Sequence, residues 1–450
     1  MKRALIALIW LTCICMTVLA TNITGSWNGK LVVGPQSLTI VLNISDNGCT
    51  LDSPDQSVKG IQCETKHLSS DSISVNIPAI GASYAAKLTN GKLSGQFTQM
   101  GISFPLELQP GEVVIERPQT PRPPFDYETR EVTFASNDAT LSGTITIPHN
   151  HNNSTPIVLM VTGSGLQNRD EEVFGHRPFA VIADYLAHNG IASLRYDDRG
   201  YGNSTGNASQ ATTADFGNDA AAGIKYLKEL NQFGKIGILG HSEGGLIAFR
   251  LAASGDVDFA IALASPAMRG DSLMLAQNES LLRLNGMPQP LIDSYINALA
   301  AIFNQRTNPS HHITNAMAFA DSVVTAQGGK LPHAAIENLA AVLEEKNTWI
   351  DYFLTYSPRA DIATVQCPVM AIGGNKDMQV PPTNIEIIKS LLPADKHNLV
   401  KTYDGLNHLF QHCNTGSPME YNAITETFAP EVMQEITRWI KTQTAKNSVD

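Results

Sequence analysis

Apolar and polar residues alternate along the first hundred residues in short runs of period two. Ser37 to Ser45 places its apolar side chains on one face, and Ser103 to Leu108 repeats the alternation. Asn47-Gly48 and Asn90-Gly91 separate such runs and are strong signals for two-residue hairpins. Several short strands at this spacing predict an all-β N-terminal domain over residues 21–110, either a small barrel or a sandwich.

From Glu131 onward, apolar runs alternate with helical periods. Continuous apolar runs such as Ile157 to Met160 and Ala260 to Leu263 are typical of strands buried on both faces. Strands are predicted at 131–136, 140–147, 156–162, 190–196, 235–239, 257–264, 367–373 and 397–403. Helices are predicted at 177–188, 215–231 and 243–254. This alternation predicts an α/β fold with a mostly parallel sheet over residues 128–450.

Two segments stand apart from this alternation. Residues 111–127 are rich in proline and lack an apolar period, which is typical of a stiff extended linker. Between about 267 and 355 helical periods take over, and Leu291, Tyr295 and Leu299 share one helix face. We expect this insertion to be a helical cap. It either covers a substrate as a lid or simply extends the core.

The first twenty residues have the composition of a secretory signal peptide. Basic Met1-Lys2-Arg3 precedes an apolar run that ends in the small-x-small sequence Val18-Leu19-Ala20. The alternative is an uncleaved membrane anchor, but the apolar run is short for a membrane span. We therefore expect cleavage after Ala20, a secreted or periplasmic protein, and no stable membrane insertion after cleavage.

Charge and cysteine content limit the partners. Loss of Lys2 and Arg3 with the signal peptide takes the formal charge from −11 to −13, so no nucleic acid or anionic membrane is expected to bind.

Cys49 and Cys63 would close a short loop between neighbouring strands, and an oxidising compartment permits a disulfide. Buried free thiols are the alternative. The spacing of Cys and His residues predicts no metal site, and no cofactor is expected.

A Gly-x-Ser-x-Gly sequence at 240–244 follows a short apolar strand and precedes an apolar helix. This context predicts a nucleophile elbow, in which Ser242 sits on a sharp turn at the top of the sheet. Gly240 and Gly244 are required there because a Cβ atom would keep the strand and the helix apart. A second copy, centred on Ser204, lies in a polar loop without such flanking elements. Ser242 is therefore the predicted nucleophile.

A serine nucleophile needs a base that a third group orients. Asp377 follows the predicted strand at 367–373 and a glycine-rich turn, which is the expected context for the acid. His408 lies in the loop after the last strand and is the predicted base. His412 is the reserve, and His397 opens that strand and so points away from the site.

The tetrahedral intermediate needs two oxyanion donors. The backbone N–H of Glu243, directly after the nucleophile, is the first. The second is expected from the glycine-rich loop that follows the strand at 156–162, where Ser164 N–H is favoured over that of Leu166. We expect His241 to pack in the fold, because the elbow points its side chain away from Ser242.

These motifs together resemble the α/β-hydrolase superfamily, and more narrowly the secreted bacterial esterases of the dienelactone-hydrolase-like group with an N-terminal β-domain. The resemblance covers residues 130–445. It implies an α/β-hydrolase sheet with a helical cap, and hydrolysis of short-chain carboxylic esters without a cofactor. Leu166-Gln167-Asn168 departs from the group, which a Pro-Gln-Asp run would fit better. Gly25-Ser26-Trp27 resembles the start of lipocalin-like barrels. The motifs that carry the main resemblance are Gly163-Ser164-Gly165, Gln167 to Asp170, Gly240 to Gly244, Asp377 with Val380-Pro381, and Leu406 to Phe410.

The predicted function is hydrolysis of a small-molecule carboxylic ester through an acyl-enzyme on Ser242. His408 would transfer the proton and Asp377 would orient the imidazole. A serine peptidase or an acyltransferase with the same triad is the alternative among enzymes, because the cap and loops decide the leaving group. The alternative outside enzymes is a ligand-binding protein with a vestigial hydrolase domain.

Overall fold

A computed structural model describes residues 23–33, 36–56, 58–69, 71–99, 101–113, 116–309, 313–326 and 328–444. The predicted signal peptide lies outside these residues. The chain divides into two compact units, residues 1–114 and 115–450. Within the described part of the chain, no helix is both long and apolar enough to cross a bilayer.

The N-terminal unit is a closed antiparallel barrel, in which each strand pairs with the next and β1 pairs with β8. The inward side chains pack against one another, and Trp27, Leu42 and Tyr84 are buried among them. The indole of Trp27 donates to the carbonyl of Ile23, and the Tyr84 hydroxyl donates to the carbonyl of Leu93. The expected all-β domain is thus a barrel, filled by its own side chains. Its strands are β1 (Gly25–Val33), β2 (Gln36–Ser45), β3 (Gly48–Ser53), β4 (Val58–Ser69), β5 (Ser72–Ile77), β6 (Ala82–Thr89), β7 (Lys92–Gln99) and β8 (Ile102–Pro110).

Cys49 and Cys63 lie directly opposite each other on β3 and β4. Both are free thiols in this structure, and Cys49 is buried. The neighbouring Cys63 thiol and burial raise the pKa of Cys49, and the Cys49 thiol lowers the pKa of Cys63. The disulfide considered from the sequence stays a prediction, for which the two side chains are suitably placed.

The second unit is built on an eight-stranded sheet in the order β16-β15-β14-β13-β11-β12-β10-β9. The six strands from β11 to β16 pair in parallel, and β9 and β10 add antiparallel strands at one edge. This confirms the predicted mostly parallel sheet and its eight strands. They are β9 (Tyr127–Ser136), β10 (Ala139–Pro148), β11 (Ile157–Val161), β12 (Ala192–Tyr196), β13 (Ile236–His241), β14 (Phe259–Leu263), β15 (Val369–Gly374) and β16 (Leu399–Tyr403).

Helices cover both faces of this sheet. Along β11, Ile157, Leu159 and Val161 enter one core, while Val158 and Met160 enter the other, as the alternation of a strand requires. The first core includes α2 (Thr213–Leu230), α3 (Glu243–Ala253) and α10 (Thr383–Leu391), and the short α9 (Arg359–Ala363) also contributes to it. The second includes α1 (Pro178–His188) and α11 (Pro430–Thr444).

The expected helical cap is inserted between β14 and β15. Its interior is apolar, with Leu299, Ile302 and Leu339 fully buried. A smaller cluster joins it to the sheet domain, where Leu273 and Phe353 of the cap pack with Leu246 of α3. The cap consists of α4 (Gly270–Leu284), α5 (Gln289–Thr307), α6 (Ala316–Ala326), α7 (His333–Glu344) and α8 (Thr348–Thr355).

Part of the proline-rich stretch belongs structurally to the second unit. The buried guanidinium of Arg117 donates to the carbonyls of Phe174 and Asn422, at 2.8 and 2.9 Å. Gln119 donates to the carbonyl of Phe428 at 2.7 Å. These bonds fix residues 117–119 against the hydrolase unit, so this part of the predicted linker is held in place by hydrogen bonds.

Candidate active site

The sharp turn between β13 and α3 presents Ser242. Its φ and ψ are 53° and −116°, a left-handed conformation that costs a non-glycine residue energy. The Ser242 N–H donates to the carbonyl of Leu263 at 2.8 Å, which ties the turn to the neighbouring strand. A Cβ atom on Gly240 would overlap the carbonyl of Gly244, and one on Gly244 would overlap that of Val161. The strained turn therefore depends on both glycines.

Asp377 and His408 form a buried hydrogen-bonded pair beside this turn. The Nδ1 atom of His408 lies 2.7 Å from Oδ2 of Asp377. The other carboxylate oxygen, Oδ1, accepts the backbone N–H groups of Gln379 and Val380, both at 2.8 Å. With Asp377 as acceptor, the proton of a neutral His408 sits on Nδ1, and Nε2 is left with a lone pair. That is the tautomer a general base requires.

A second set of bonds shapes the loop that carries His408. The buried Asn407 side chain accepts the N–H groups of Leu409 and Gln411, at 3.0 and 2.9 Å. The loop starts directly after β16, which pairs in parallel with β15, the strand that precedes Asp377. His408 and Asp377 therefore meet because the carboxyl ends of two adjacent parallel strands lie at the same edge of the sheet.

The predicted site residues meet at one cavity of about 390 Å³. Ser242, Glu243, His408 and Ser164 all line it, and Asp377 lies behind His408. The cap supplies much of the wall, which favours the lid interpretation over helices that only extend the core. The cap residues in the wall are Leu273, Met274, Gln277, Trp349 and Phe353.

The loop of residues 162–167 that follows β11, called the oxyanion loop below, passes close to Ser242. A Cβ atom on Gly163 would lie 3.2 Å from that of Ser242, and the Gly163 N–H already donates to Oε1 of Glu171 at 2.8 Å. Ser164 comes next and lines the cavity, whereas Leu166 is 48% exposed and does not line it. This placement favours Ser164 over Leu166 as the second donor.

The buried side chain of Glu243 links the nucleophile helix to the cap, a role that the sequence did not indicate. Its Oε1 accepts the Thr213 hydroxyl at 2.6 Å and the indole N–H of Trp349, from α8, at 2.8 Å. Burial raises the pKa of the Glu243 carboxyl, although these two bonds and the nearby Ser164 side chain oppose the shift. The carboxyl thus joins the elbow, the cap and the oxyanion loop.

His241 does more than pack. Its Nδ1 lies 2.9 Å from Oε1 of the buried Glu171, and its Nε2 lies 2.9 Å from the carbonyl oxygen of His408. Its ring is 4.7 Å from that of His408, centroid to centroid. Sequence reasoning missed Glu171, because 70 residues separate it from His241 and no motif marks it.

Two acidic residues that follow β12, Asp197 and Asp198, hold the oxyanion loop and the segment after it in place by hydrogen bonds. Asp198 accepts the Thr162 hydroxyl at 3.0 Å and the Gln167 N–H at 2.8 Å, and burial raises its pKa to about 8. Asp197 accepts two guanidinium N–H groups of Arg169. Neither carboxylate lines the cavity, and their bonds stabilise the loop.

Ser204, the serine of the second Gly-x-Ser-x-Gly copy, and His412, the reserve base, both lie outside the cavity. Ser204 is buried in its loop, where its hydroxyl donates to the carbonyl of Asp197 at 2.7 Å and accepts the Ser142 N–H at 2.9 Å. The His412 side chain is 56% exposed and pairs with Glu426 at 2.9 Å. Neither residue lines the cavity. Within the described residues, no group of three or more His, Cys, Asp or Glu side chains could hold a metal ion.

The parallel sheet with its flanking helices and the strained serine turn define a hydrolase of the α/β class. Residues 156–413, more than half of the chain, match the family described as the alpha/beta hydrolase fold, and the chain belongs to that family. The curated protein Esterase EstD of Thermotoga maritima is 25% identical over 320 residues, which are 70% of this chain and 68% of that protein.

Solved structures to which the chain is similar include an esterase and a peptidase. The esterase Pf2001 of Pyrococcus furiosus has 18% identity and a TM-score of 0.41, and the match covers 71% of this chain and 94% of that one. The proline iminopeptidase of Mycobacterium smegmatis has 18% identity and a TM-score of 0.43, covering 70% of this chain and 99% of that one.

Proposed function

We propose that the protein is a serine hydrolase of short-chain carboxylic esters. The Ser242 hydroxyl attacks the ester carbonyl while Nε2 of His408 takes its proton. The N–H groups of Glu243 and Ser164 stabilise the oxyanion. His408 then passes the proton to the leaving alcohol, Asp377 orients the imidazole throughout, and water hydrolyses the acyl-enzyme.

The observation that carries this proposal is the strained Ser242 turn at the same cavity as the His408–Asp377 pair. A serine at a positive φ costs energy without improving packing, so it persists where the surrounding structure enforces it and function uses it. The His408 pair also leaves its unprotonated nitrogen for a proton from the nucleophile.

The size of the cavity supports the short-chain part of the proposal. About 390 Å³ is near the lower end of the range for ligand pockets, roughly 300–1,000 Å³. The wall mixes apolar groups from the cap with amides such as Gln277 and Gln379. A series of p-nitrophenyl esters should show kcat/KM highest for short acyl chains and falling as the chain outgrows the cavity.

A serine peptidase or an acyltransferase would use the same triad. Measured side by side, short p-nitrophenyl esters should be turned over faster than aminoacyl p-nitroanilides, and water should be the preferred acceptor over added alcohols. Faster turnover of the amides, or transfer to alcohols in preference to water, would replace the esterase proposal with one of these two.

Labelling with a fluorophosphonate separates an enzyme from a ligand-binding protein with a vestigial site. The wild type should be labelled, Ser242→Ala should not, and Ser204→Ala should be labelled like the wild type per folded molecule. By analogy with a well-studied serine protease, Ser242→Ala should lower kcat by on the order of a million-fold. Full activity in Ser242→Ala would end the proposal.

We also propose that the protein is exported and cleaved after Ala20. The basic start and the apolar run of residues 4–19 support this. N-terminal sequencing of the protein recovered from a periplasmic or culture-medium fraction should begin at Thr21. Recovery of the intact N terminus from the cytoplasm would contradict export.

A further inference from the structure

Glu171 sits where three parts of the site meet. Its side chain is buried, since the residue is only 3% exposed. Its backbone is strained, since a φ of 54° is unfavourable for a residue other than glycine. One oxygen, Oε1, accepts the Gly163 N–H at 2.8 Å and lies 2.9 Å from Nδ1 of His241. The Nε2 atom of His241 continues the chain to the carbonyl oxygen of His408.

The partners of His241 determine how many protons it holds. A carbonyl oxygen can only accept, so the Nε2 atom, 2.9 Å from the carbonyl of His408, must carry a hydrogen. Nδ1 faces a carboxylate oxygen that already accepts the Gly163 N–H, and a lone pair on Nδ1 would be repelled there. Protons on both ring nitrogens, as in an imidazolium, would satisfy both partners.

The charges around His241 agree with this assignment. Burial lowers the pKa of His241. The Glu171 carboxylate, the bond to the carbonyl of His408 and the charge of Asp377 together raise the pKa by more than burial lowers it, so the net shift is upward. The His408 ring lies against it, with 4.7 Å between the ring centroids. A buried cation is tolerated here because its carboxylate partner is buried with it.

We propose that Glu171 and His241 form a second acid–histidine pair, with His241 held as an imidazolium, which positions the oxyanion loop and the catalytic His408. Both residues line the cavity, and their hydrogen bonds reach the proposed catalytic groups through Gly163 and the backbone of His408. Gly163 adjoins the donor Ser164, and His241 adjoins the nucleophile. Asp377 fixes the ring of His408 while His241 fixes its backbone. The kinetic part of this inference rests on the proposed function.

Glu171→Gln is the sharpest perturbation. Both contacts of Glu171 converge on Oε1. In the glutamine variant, an amide oxygen at that place can still accept the Gly163 N–H and a proton on Nδ1 of His241, but it carries no charge to balance an imidazolium. An amide nitrogen at that place would lose the Gly163 bond instead. The substitution therefore keeps the volume of the side chain and removes the negative charge that would hold His241 as an imidazolium.

Nitrogen NMR of the full-length protein labelled with ¹⁵N-histidine reads the protonation directly. At pH 8, where a histidine of ordinary pKa near 6.5 is neutral, both His241 nitrogens should be protonated, with His241→Asn used for assignment. In Glu171→Gln, His241 should become neutral with its hydrogen on Nε2. A neutral His241 in the wild type at pH 8 would overturn the proposal, even if Glu171→Gln does not fold.

Kinetics test the positioning role. Glu171→Gln should lower kcat for p-nitrophenyl acetate by roughly 10- to 100-fold with little change in KM, because a small displacement of the reacting groups has effects of that size. The control is Glu172→Gln, an exposed neighbour that pairs with Arg177, and it should keep the wild-type kcat. A folded Glu171→Gln with kcat within twofold of the wild type would refute positioning.

The two proposals fail in different ways. Absence of fluorophosphonate labelling in the wild type would refute the serine hydrolase, whatever His241 does. Labelling of the wild type together with a neutral His241, or with an unchanged kcat in Glu171→Gln, would refute only the proposal about Glu171 and His241. The NMR result needs no substrate, so it stands apart from any activity measurement.

Discussion

Replacement of Asp377 by asparagine should abolish catalysis while leaving the fold intact. The carboxylate has two different tasks: Oδ1 accepts the N–H groups of Gln379 and Val380, and Oδ2 faces Nδ1 of His408. In Asp377→Asn the amide oxygen must stay with the two backbone donors, since an NH₂ group there would leave both unpaired. The amide nitrogen is therefore forced toward His408.

This orientation inverts the tautomer of His408. An amide NH₂ can only donate, so Nδ1 must offer its lone pair and the ring proton moves to Nε2. The nitrogen that should take the proton of Ser242 then carries one of its own. The same tautomer error costs about 10⁴ in kcat in a well-studied serine protease, which corresponds to about 5 kcal/mol of activation free energy.

Stability should change much less than activity. The asparagine keeps the size of the side chain and three hydrogen bonds, so the free energy of unfolding should fall by no more than about 2 kcal/mol. Hydrolysis of p-nitrophenyl acetate gives kcat, and urea unfolding followed by circular dichroism gives stability.

Asp361→Asn is the matched control, because it makes the same substitution at a carboxylate that accepts the Tyr356 hydroxyl away from the cavity. It should keep the wild-type kcat. A loss of less than tenfold in Asp377→Asn, or equal losses in the two variants, would refute the assignment of Asp377 as the orienting acid.

Two further predictions concern packing and redox chemistry. In Gly244→Ala the new Cβ atom meets the carbonyl of Val161, a backbone atom that cannot move aside, so urea unfolding should show a loss of about 3 kcal/mol. The helical Gly217→Ala, whose Cβ atom would meet only an arginine side chain at 3.5 Å, should instead be neutral or gain up to about 1 kcal/mol. Incubation with oxidised glutathione should join Cys49 and Cys63 by thiol–disulfide exchange, with a gain of at most about 3 kcal/mol for a loop of roughly 15 residues. Two hydrogens should be lost in the denatured mass spectrum, and an unchanged mass would show that the pair does not form a disulfide.

Local patterns in the sequence were sufficient for most of the architecture. Continuous apolar runs such as Ile157 to Met160 and Ala260 to Leu263 predicted the central strands of the hydrolase sheet, because a strand buried on both faces has few polar positions. The strand before Ser242 and the helix after it separated this serine from Ser204. The order of the residues along the chain and the loops after two predicted strands pointed to Asp377 and His408. A strand and the loop after it can be recognised from neighbouring residues alone.

Closure of the N-terminal barrel, the cavity wall and the second acid–histidine pair were decided only by the tertiary structure. A barrel and a sandwich share the same alternation of side chains, and only the pairing of β1 with β8 distinguishes them. Glu243 meets Trp349 and Glu171 meets His241 across long separations in sequence. No spacing rule links such residues, because their contact depends on how the cap and loops pack at the edge of the sheet.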